Sequence, residues 1–204
     1  MAELGIIATA GLAKVEALVA MIRDETDARV PAAARFALMA IADEIEASAD
    51  QIERLERAIV VEAKRYEDMR RLITIPGVGA ITAATIKALV PDPGGFKSAR
   101  HFAAWLGLTP RSHSNGGKER LGRISKMGNP ELRSLLVVGA TAVLRVVRND
   151  ARARPWLKAL LARRPFKVAA AAQANKTARI IRALLNKGGI YRRPDPLAVT
   201  AVTQ

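Results

Sequence analysis

Four hydroxyl residues, five glycines and five Lys or Arg fall within Leu106–Gly128, against a single acid, Glu119. Small residues leave backbone N–H groups open to an anion, and the cations add charge, so the stretch suits a bound phosphate. A serine hydroxyl is almost fully protonated at neutral pH and attacks phosphorus only beside a base or a metal. The negative charge that then builds on phosphorus needs donors or cations aimed at it. Ser114 meets the second condition: Asn115, Gly116 and Gly117 let a strand approach closely, and Arg111, Lys118, Arg120 and Arg123 can bracket its phosphate, with Lys126 a little further on. Ser112 and Ser125 are the other hydroxyls in reach of the same cations. His113 adjoins Ser114, but neighbouring side chains on an extended loop point apart, so it is not assigned as the base. The chemistry implied is the handling of a nucleic-acid backbone.

A second phosphate-facing element precedes it. Within Leu72–Val90 a helix is expected to end before Pro76, and another to begin near Ala80. Gly77-Val78-Gly79 lies between them. Both glycines can take positive φ and leave N–H groups pointing outward at the positive end of the second helix. The arrangement resembles the helix-hairpin-helix module, which grips a DNA phosphate through its turn without reading bases.

The elements that must position these two loops are helices. Alanine is abundant, aromatics are few and apolar residues recur at helical spacing, so the fold class is all-α. Residues 4–25 read as an amphipathic helix with Leu12, Val15, Leu18, Val19 and Ile22 on one face, and 24–34 as a loop containing Pro31. A long helix is expected over 32–71. Its heptad positions 38, 45, 52, 59 and 66 are Leu, Ile, Ile, Ile and Tyr, while the interleaved seam is broken by Ser48 and Glu62. Charged residues crowd the remaining positions, so a coiled coil and homo-oligomerisation through residues 32–71 are expected. Pro91–Gly95 breaks the chain, and Ser98 caps a short helix with Phe102 and Trp105 as core anchors. Asn129-Pro130 starts a helix to about Asn149 with Leu132, Leu135, Leu136, Val138 and Val143 as its buried stripe. Pro155 opens a short helix, and a last one runs from Phe166 to Lys187, stopped by Gly188-Gly189. The expected organisation is a helical region over 1–71, a helix-hairpin-helix and serine domain over 72–190, and a tail over 191–204.

Charge points to the partner. The 204 residues carry a net +14, unevenly: residues 1–68 hold 8 Lys and Arg against 14 acids, and 69–204 hold 25 against 5. A one-sided excess of that size marks a polyanion, and DNA is the expected partner. There is no cysteine, which excludes disulfides and Cys-based zinc sites, and His101 and His113 are too few for a His-rich metal site. The five acids beyond residue 68 (Asp92, Glu119, Glu131, Asp150 and Asp195) are scattered, so no metal site is expected in this chain. The longest apolar run, Leu135–Leu144, is far short of a membrane span, and the N-terminus lacks the basic start of a secretory signal. The expected location is the cytoplasm, on the nucleoid.

Several segments resemble one known family. Ile75-Pro-Gly-Val-Gly79, Phe102–Pro110, Ser114–Lys126, Leu132-Arg133 and Ala174-Asn-Lys-Thr-Ala-Arg179 occur in the order found in insertion-sequence transposases of the "one-ten" family, its "eleven-eleven" branch in particular. The resemblance spans about Leu4 to Tyr191 and is most specific over Pro76–Gly128. It implies RNA-guided recombinases in which a resolvase-like domain with four metal-binding acids precedes a coiled coil and a serine domain. It further implies that the serine attacks a DNA phosphodiester and holds the strand as a phosphoserine ester. A structured guide RNA is then a second partner, and Mg2+ a cofactor bound through the four acids. In the branch most like this chain the serine falls on Ser114, whereas another branch's register falls on Asn115. This chain carries no counterpart of the four-acid domain, so it reads as the C-terminal half of such a transposase, with cleavage not expected from it alone. A helix-hairpin-helix protein that binds nucleic acid without cutting it, or an inert element remnant, fits the same basic residues.

Overall fold

The computed structural model describes residues 1–112, 121–149 and 155–192. They are mostly α-helical, with one short two-stranded ribbon. The chain divides into two compact units, Met1–Ala58 and Ile59–Gln204.

The first unit is a helical hairpin. Its first helix, α1, covers Leu12–Arg23, shorter than the 4–25 expected from periodicity. Gly5 and Gly11 stand at φ of 74° and 147°, conformations that a continuing helix cannot contain, so the chain before Leu12 holds only a 3-10 turn at Ala2–Leu4. The second helix, α2, covers Ala32–Arg65, and the unit boundary falls within it. Val19 and Ile22 of α1 bury against Ala42, with Val15, Leu38 and Met39 around them. Leu12 belongs to the same stripe by spacing, yet it is exposed because the contact begins a turn later. Arg35 closes the connection. Its guanidinium donates to the carbonyls of Met21, Ile22, Asp24, Asp27 and Val30, among them carbonyls that the end of α1 leaves without partners. Arg23 pairs with Asp43 and, at 2.5 Å, with Glu46. Further along α2, Ile41, Ile45, Ile52 and Leu55 are exposed.

The second unit is built around α6 (Pro130–Asn149) and α8 (Phe166–Lys187), which pack along each other. The helix expected over 32–71 is two: α2 ends at Arg65, and α3 covers Glu67–Ile73. Tyr66 between them is extended, with φ −91° and ψ 128°. Contacts with α4 (Ala80–Leu89) hold this break. Lys87 lies 4.3 Å over the Tyr66 ring and 2.6 Å from the Asp68 carboxylate, whose other oxygen accepts from the Met69 N–H. Helix α5 (Ala99–Trp105) is capped by the Ser98 hydroxyl, which accepts from the His101 N–H at 3.3 Å. Asn129 caps α6 through its Oδ1 and the Leu132 N–H at 2.9 Å. Helix α7 (Pro155–Arg163) crosses the end of α6 and the start of α8.

The main core gathers Leu72, Ile75, Val78, Ile86, Phe102, Leu106, Leu108, Leu132, Leu136 and Ile181. A smaller cluster under α7 holds Leu144, Val147, Leu157, Ala169 and Ala170. Alanines at 170, 174 and 178 recur every fourth residue on the buried face of α8, and such small side chains let another helix come close. On α6 the buried stripe is Leu132, Leu136, Ala140, Leu144 and Val147. Val138, expected inside, is 64% exposed because it points away from that stripe. Phe102 is a core anchor as expected. Trp105 is partly exposed and stacks on Phe102 with ring centroids 5.9 Å apart, while Phe96 meets both rings from the side.

Candidate nucleic-acid interface

The described parts of the cation-rich stretch form a two-stranded antiparallel ribbon, a feature absent from the all-helical reading. Strand β1 (Pro110–Ser112) pairs antiparallel with β2 (Leu121–Ile124), Pro110 opposite Ile124 and Ser112 opposite Leu121. The register slips by one between these pairs, so Arg111 faces both Gly122 and Arg123, the arrangement of a β-bulge. Leu121, Gly122 and Arg123 are exposed, as is all of β1, so the ribbon stands off the helices. Ser114, Asn115, Gly116, Gly117, Lys118 and Arg120, together with His113, lie outside the described residues.

A two-stranded ribbon has little stability of its own. This one is held at its root. The Ser125 N–H donates to the Thr109 carbonyl at 2.8 Å and the Lys126 N–H to the Gly107 carbonyl at 3.1 Å. Lys126 itself has φ 56°, a rare conformation for a side chain with a Cβ, which turns the chain into Met127-Gly128. Two glycines then allow backbone to touch backbone. A Cβ on Gly128 (φ 104°) would lie 1.8 Å from the Trp105 carbonyl oxygen, and one on Gly107 (φ 70°) 2.3 Å from the Met127 oxygen. Arg133 of α6 donates from Nη1 to the Leu106 carbonyl at 3.2 Å and the Gly128 carbonyl at 3.4 Å. Asn175 of α8 donates to the Leu108 carbonyl at 3.1 Å. Leu106 and Leu108 between these anchors are fully buried. The ribbon's root is thus fixed to three helices while its strands meet solvent.

Of the cations expected on this stretch, Arg111 donates from Nη2 to the Ser125 carbonyl at 3.0 Å, which aligns its guanidinium across the ribbon. Arg123 and Lys126 are exposed and make no ion pair with a carboxylate among the described residues. Ser112 ends β1, exposed, and Ser125 follows β2, half-buried. Arg133 and Asn175 were legible only as parts of motifs. Their role as anchors of the ribbon depends on contacts 27 and 67 residues away in sequence.

The Gly77-Val78-Gly79 turn joins α3 to α4 as expected, but its two glycines differ. Gly77 has φ 86°, and a Cβ there would lie 2.6 Å from the Gly139 carbonyl of α6; conversely, a Cβ on Gly139 would lie 1.8 Å from the Gly77 oxygen. Gly77 therefore serves backbone packing on α6. Val78 is buried, and its N–H donates to the Ile75 carbonyl at 3.0 Å. Gly79 is extended, with φ −93°, correcting the expectation of positive φ at both glycines. It is exposed, with nothing within 4 Å of a Cβ built there, and caps α4 without a side-chain hydrogen bond. Of the three turn residues, Gly79 leaves the positive end of a helix open.

Among the described residues no group of three or more His, Asp or Glu could hold a metal ion. Asp92, one of the few acids here, accepts from the Gly94 N–H at 2.8 Å and is occupied with its own turn. The described residues therefore do not fit a magnesium site. No helix among them is long and apolar enough to cross a membrane. In the second unit, Asp68 is an acid whose titration its neighbours perturb. Burial alone would raise its pKa, but the Lys87 ammonium and the Met69 N–H together hold it below the ordinary carboxylate range.

Residues 69–159, from α3 into α7, match the family described as transposase IS116/IS110/IS902. Over 195 residues the chain is 44% identical to a "probable family 20 transposase" of Pseudomonas aeruginosa, covering 94% of this chain and 57% of the relative. It is 47% identical over 138 residues to the transposase for insertion sequence element IS1111A of Coxiella burnetii, covering 67% of this chain and 38% of that protein. Over 73 residues it is 38% identical to a pilin gene-inverting protein of Moraxella lacunata, covering 35% of this chain and 23% of that one. The chain spans 38–57% of the length of the curated relatives it matches over most of its own length.

Proposed function

We propose, from the match of residues 69–159 to the transposase IS116/IS110/IS902 family, that this chain is the DNA-handling part of a transposase, acting in DNA transposition and recombination. The anchored ribbon carries the reading. Its exposed Arg123 and Lys126 and the guanidinium of Arg111 form the wall of a phosphate track, and the open N-terminus of α4 at Gly79 supplies a second contact with the same backbone. Ser114 is the nucleophile in this reading: its oxygen forms a bond to phosphorus, a sugar oxygen leaves, and the strand is held as a phosphoserine ester. Asn115, Gly116, Gly117, Lys118 and Arg120 are, in this reading, further contacts of that phosphate. The pilin gene-inverting relative supports a DNA rearrangement as the outcome.

The base and the magnesium acids are supplied in this reading by the family's four-acid domain. A structured guide RNA selects the target in this reading. The exposed Ile41, Ile45, Ile52 and Leu55 of α2 pair with a second copy as a coiled coil.

The test is Ser114→Ala in a reaction reconstituted with the four-acid domain. Strand joining should vanish while affinity for duplex DNA stays within about twofold. If affinity and joining fall together, the serine serves binding and the protein is a nucleic-acid binder. If Ser114→Ala joins strands as fast as the parent, the nucleophile lies elsewhere.

A further inference from the structure

The exposed side of α2 is a seam of two rows. Ile45, Ile52, Ile59 and Tyr66 form one, and Ile41, Ser48, Leu55 and Glu62 the other. Ile41, Ile45, Ile52, Leu55 and Tyr66 are exposed and Ile59 is half-buried. Leu38, which begins the first row, is already packed in the hairpin with α1. The last residues of both rows open into a groove of about 340 Å3, with Ile59, Glu62 and Tyr66 on one wall and Ala84 and Ala88 of α4 on the other. Lys87 also borders it but is held by Asp68 and the Tyr66 ring.

Two copies can lie along this seam in parallel or antiparallel. In parallel, each residue faces its counterpart, which sets Glu62 against Glu62 and Ser48 against Ser48. In antiparallel the rows face each other: Ile41 meets Tyr66, Ile45 meets Glu62, Ser48 meets Ile59 and Ile52 meets Leu55. Like carboxylates are then kept apart, and the groove receives Ile41 and Ile45 of the second copy in place of its Tyr66 and Glu62. The flanking charges agree. Antiparallel pairing places Glu44 beside Arg65 of the second copy at both ends, whereas parallel pairing matches Glu44 with Ala49 and Gln51 with Glu56. Arg65 already holds Glu62 of its own helix at 3.2 Å, and its five N–H donors can serve a second carboxylate. Along α2 as a whole, residues 32–50 carry one cation against four acids, and 51–65 carry four against three. The antiparallel arrangement sets the acidic half on the more cationic one.

We propose that the chain forms an antiparallel homodimer in which the α2 seam of one copy runs against that of the other, with Ile41 and Ile45 seated in the other copy's groove between α2 and α4. The proposal rests on the coiled-coil reading above and adds its direction, its facing pairs and α4 as part of the interface. Tyr66 lies opposite Ile41, 25 residues along the helix, so the two Tyr66 residues stand about 37 Å apart. The two DNA-handling units are thereby carried at opposite ends of the paired helices instead of side by side.

The chain has no cysteine, so single introduced thiols report the pairing cleanly. The experiment uses the full chain, sedimentation to follow the dimer, and a short bismaleimide as the probe. Gln51→Cys and Ala58→Cys, both at exposed positions, face each other across the antiparallel seam. Co-expressed, the two chains should be bridged to each other, and neither variant alone to itself. Ser48→Cys should not bridge, since antiparallel pairing holds the two thiols about 16 Å apart along the axis, whereas parallel pairing brings them together. Ala88→Glu, at an exposed position of α4, should raise the dimer dissociation constant at least about tenfold with helix content unchanged, because it sets an unpaired carboxylate against Ile41 and Ile45. Self-bridged Ser48→Cys overturns the direction and leaves the coiled coil standing. A dimer in which no thiol pair is bridged overturns the seam, and unchanged dimerisation of Ala88→Glu overturns the groove. A chain that is monomeric at every concentration refutes the coiled-coil reading itself.

Discussion

Gly128→Ala is the sharpest test of how the ribbon is held. The new Cβ would sit 1.8 Å from the Trp105 carbonyl oxygen and 2.9 Å from its carbon, so backbone must move by more than an ångström to admit it. Overpacking of this kind costs about 1–3 kcal/mol. The backbone at φ 104° adds a further cost of about 1–3 kcal/mol for any residue with a Cβ. The total, roughly 2–6 kcal/mol, is a large fraction of the stability of an ordinary domain. It has two outlets. The whole second unit is destabilised, or the segment around Gly128 leaves Trp105 and gives up the hydrogen bonds from Lys126 to Gly107 and from Arg133 to Gly128. Urea unfolding followed by tryptophan fluorescence reads the first, because Trp105 lies at the contact. Amide exchange at Ser125 and Lys126 reads the second. With the ribbon loosened, duplex affinity should fall under either outcome. If Gly128→Ala leaves the urea midpoint and both protections unchanged, the close approach of 105 and 128 is not how the ribbon is fixed.

Other perturbations check the remaining links. Gly79→Asp should raise stability by about a few tenths of a kcal/mol as a helix cap, yet weaken duplex binding by repelling phosphate; calorimetry and a binding titration should move in opposite directions. Gly139→Ala should destabilise in spite of alanine's better helix propensity, because its Cβ would meet the Gly77 oxygen at 1.8 Å; a gain in melting temperature would contradict the packing of the turn on α6. Duplex affinity should fall linearly with log salt, and Arg123→Gln should lower the slope by about one; a flat salt profile would exclude phosphate as the main contact. The Asp68–Lys87 pair should contribute less than about 1 kcal/mol, because each side chain is 37% exposed. Since the folded-state pKa of Asp68 is depressed, that contribution is present above the ordinary carboxylate range and lost as pH falls through the lowered value. Asp68→Asn should remove that part of the acid sensitivity seen in denaturation at pH 7 and at pH 3.

Local events follow from residues adjacent in the chain. Helix starts at Asn129-Pro130, Ser98 and Pro155 and the stop at Gly188-Gly189 are capping signals, decided by a few neighbouring atoms, and they stand where the residues put them. The cationic stretch and the turn at Gly77–Gly79 were legible for the same reason, as composition and local backbone freedom. Tertiary structure decided what depends on distant partners. Tyr66 interrupts a heptad that contains no Gly or Pro, because Lys87 and Asp68 meet across α3 and α4. Gly77 and Gly79 look interchangeable in sequence, yet one is spent on Gly139 and the other left open. Strands of three and four residues carry no periodicity that could announce them, and the ribbon exists because Arg133, Asn175 and two interlocking glycines hold its root. Local signals fix where an element begins and ends; which of its faces is spent on packing and which stays free for a ligand is set by contacts tens of residues away.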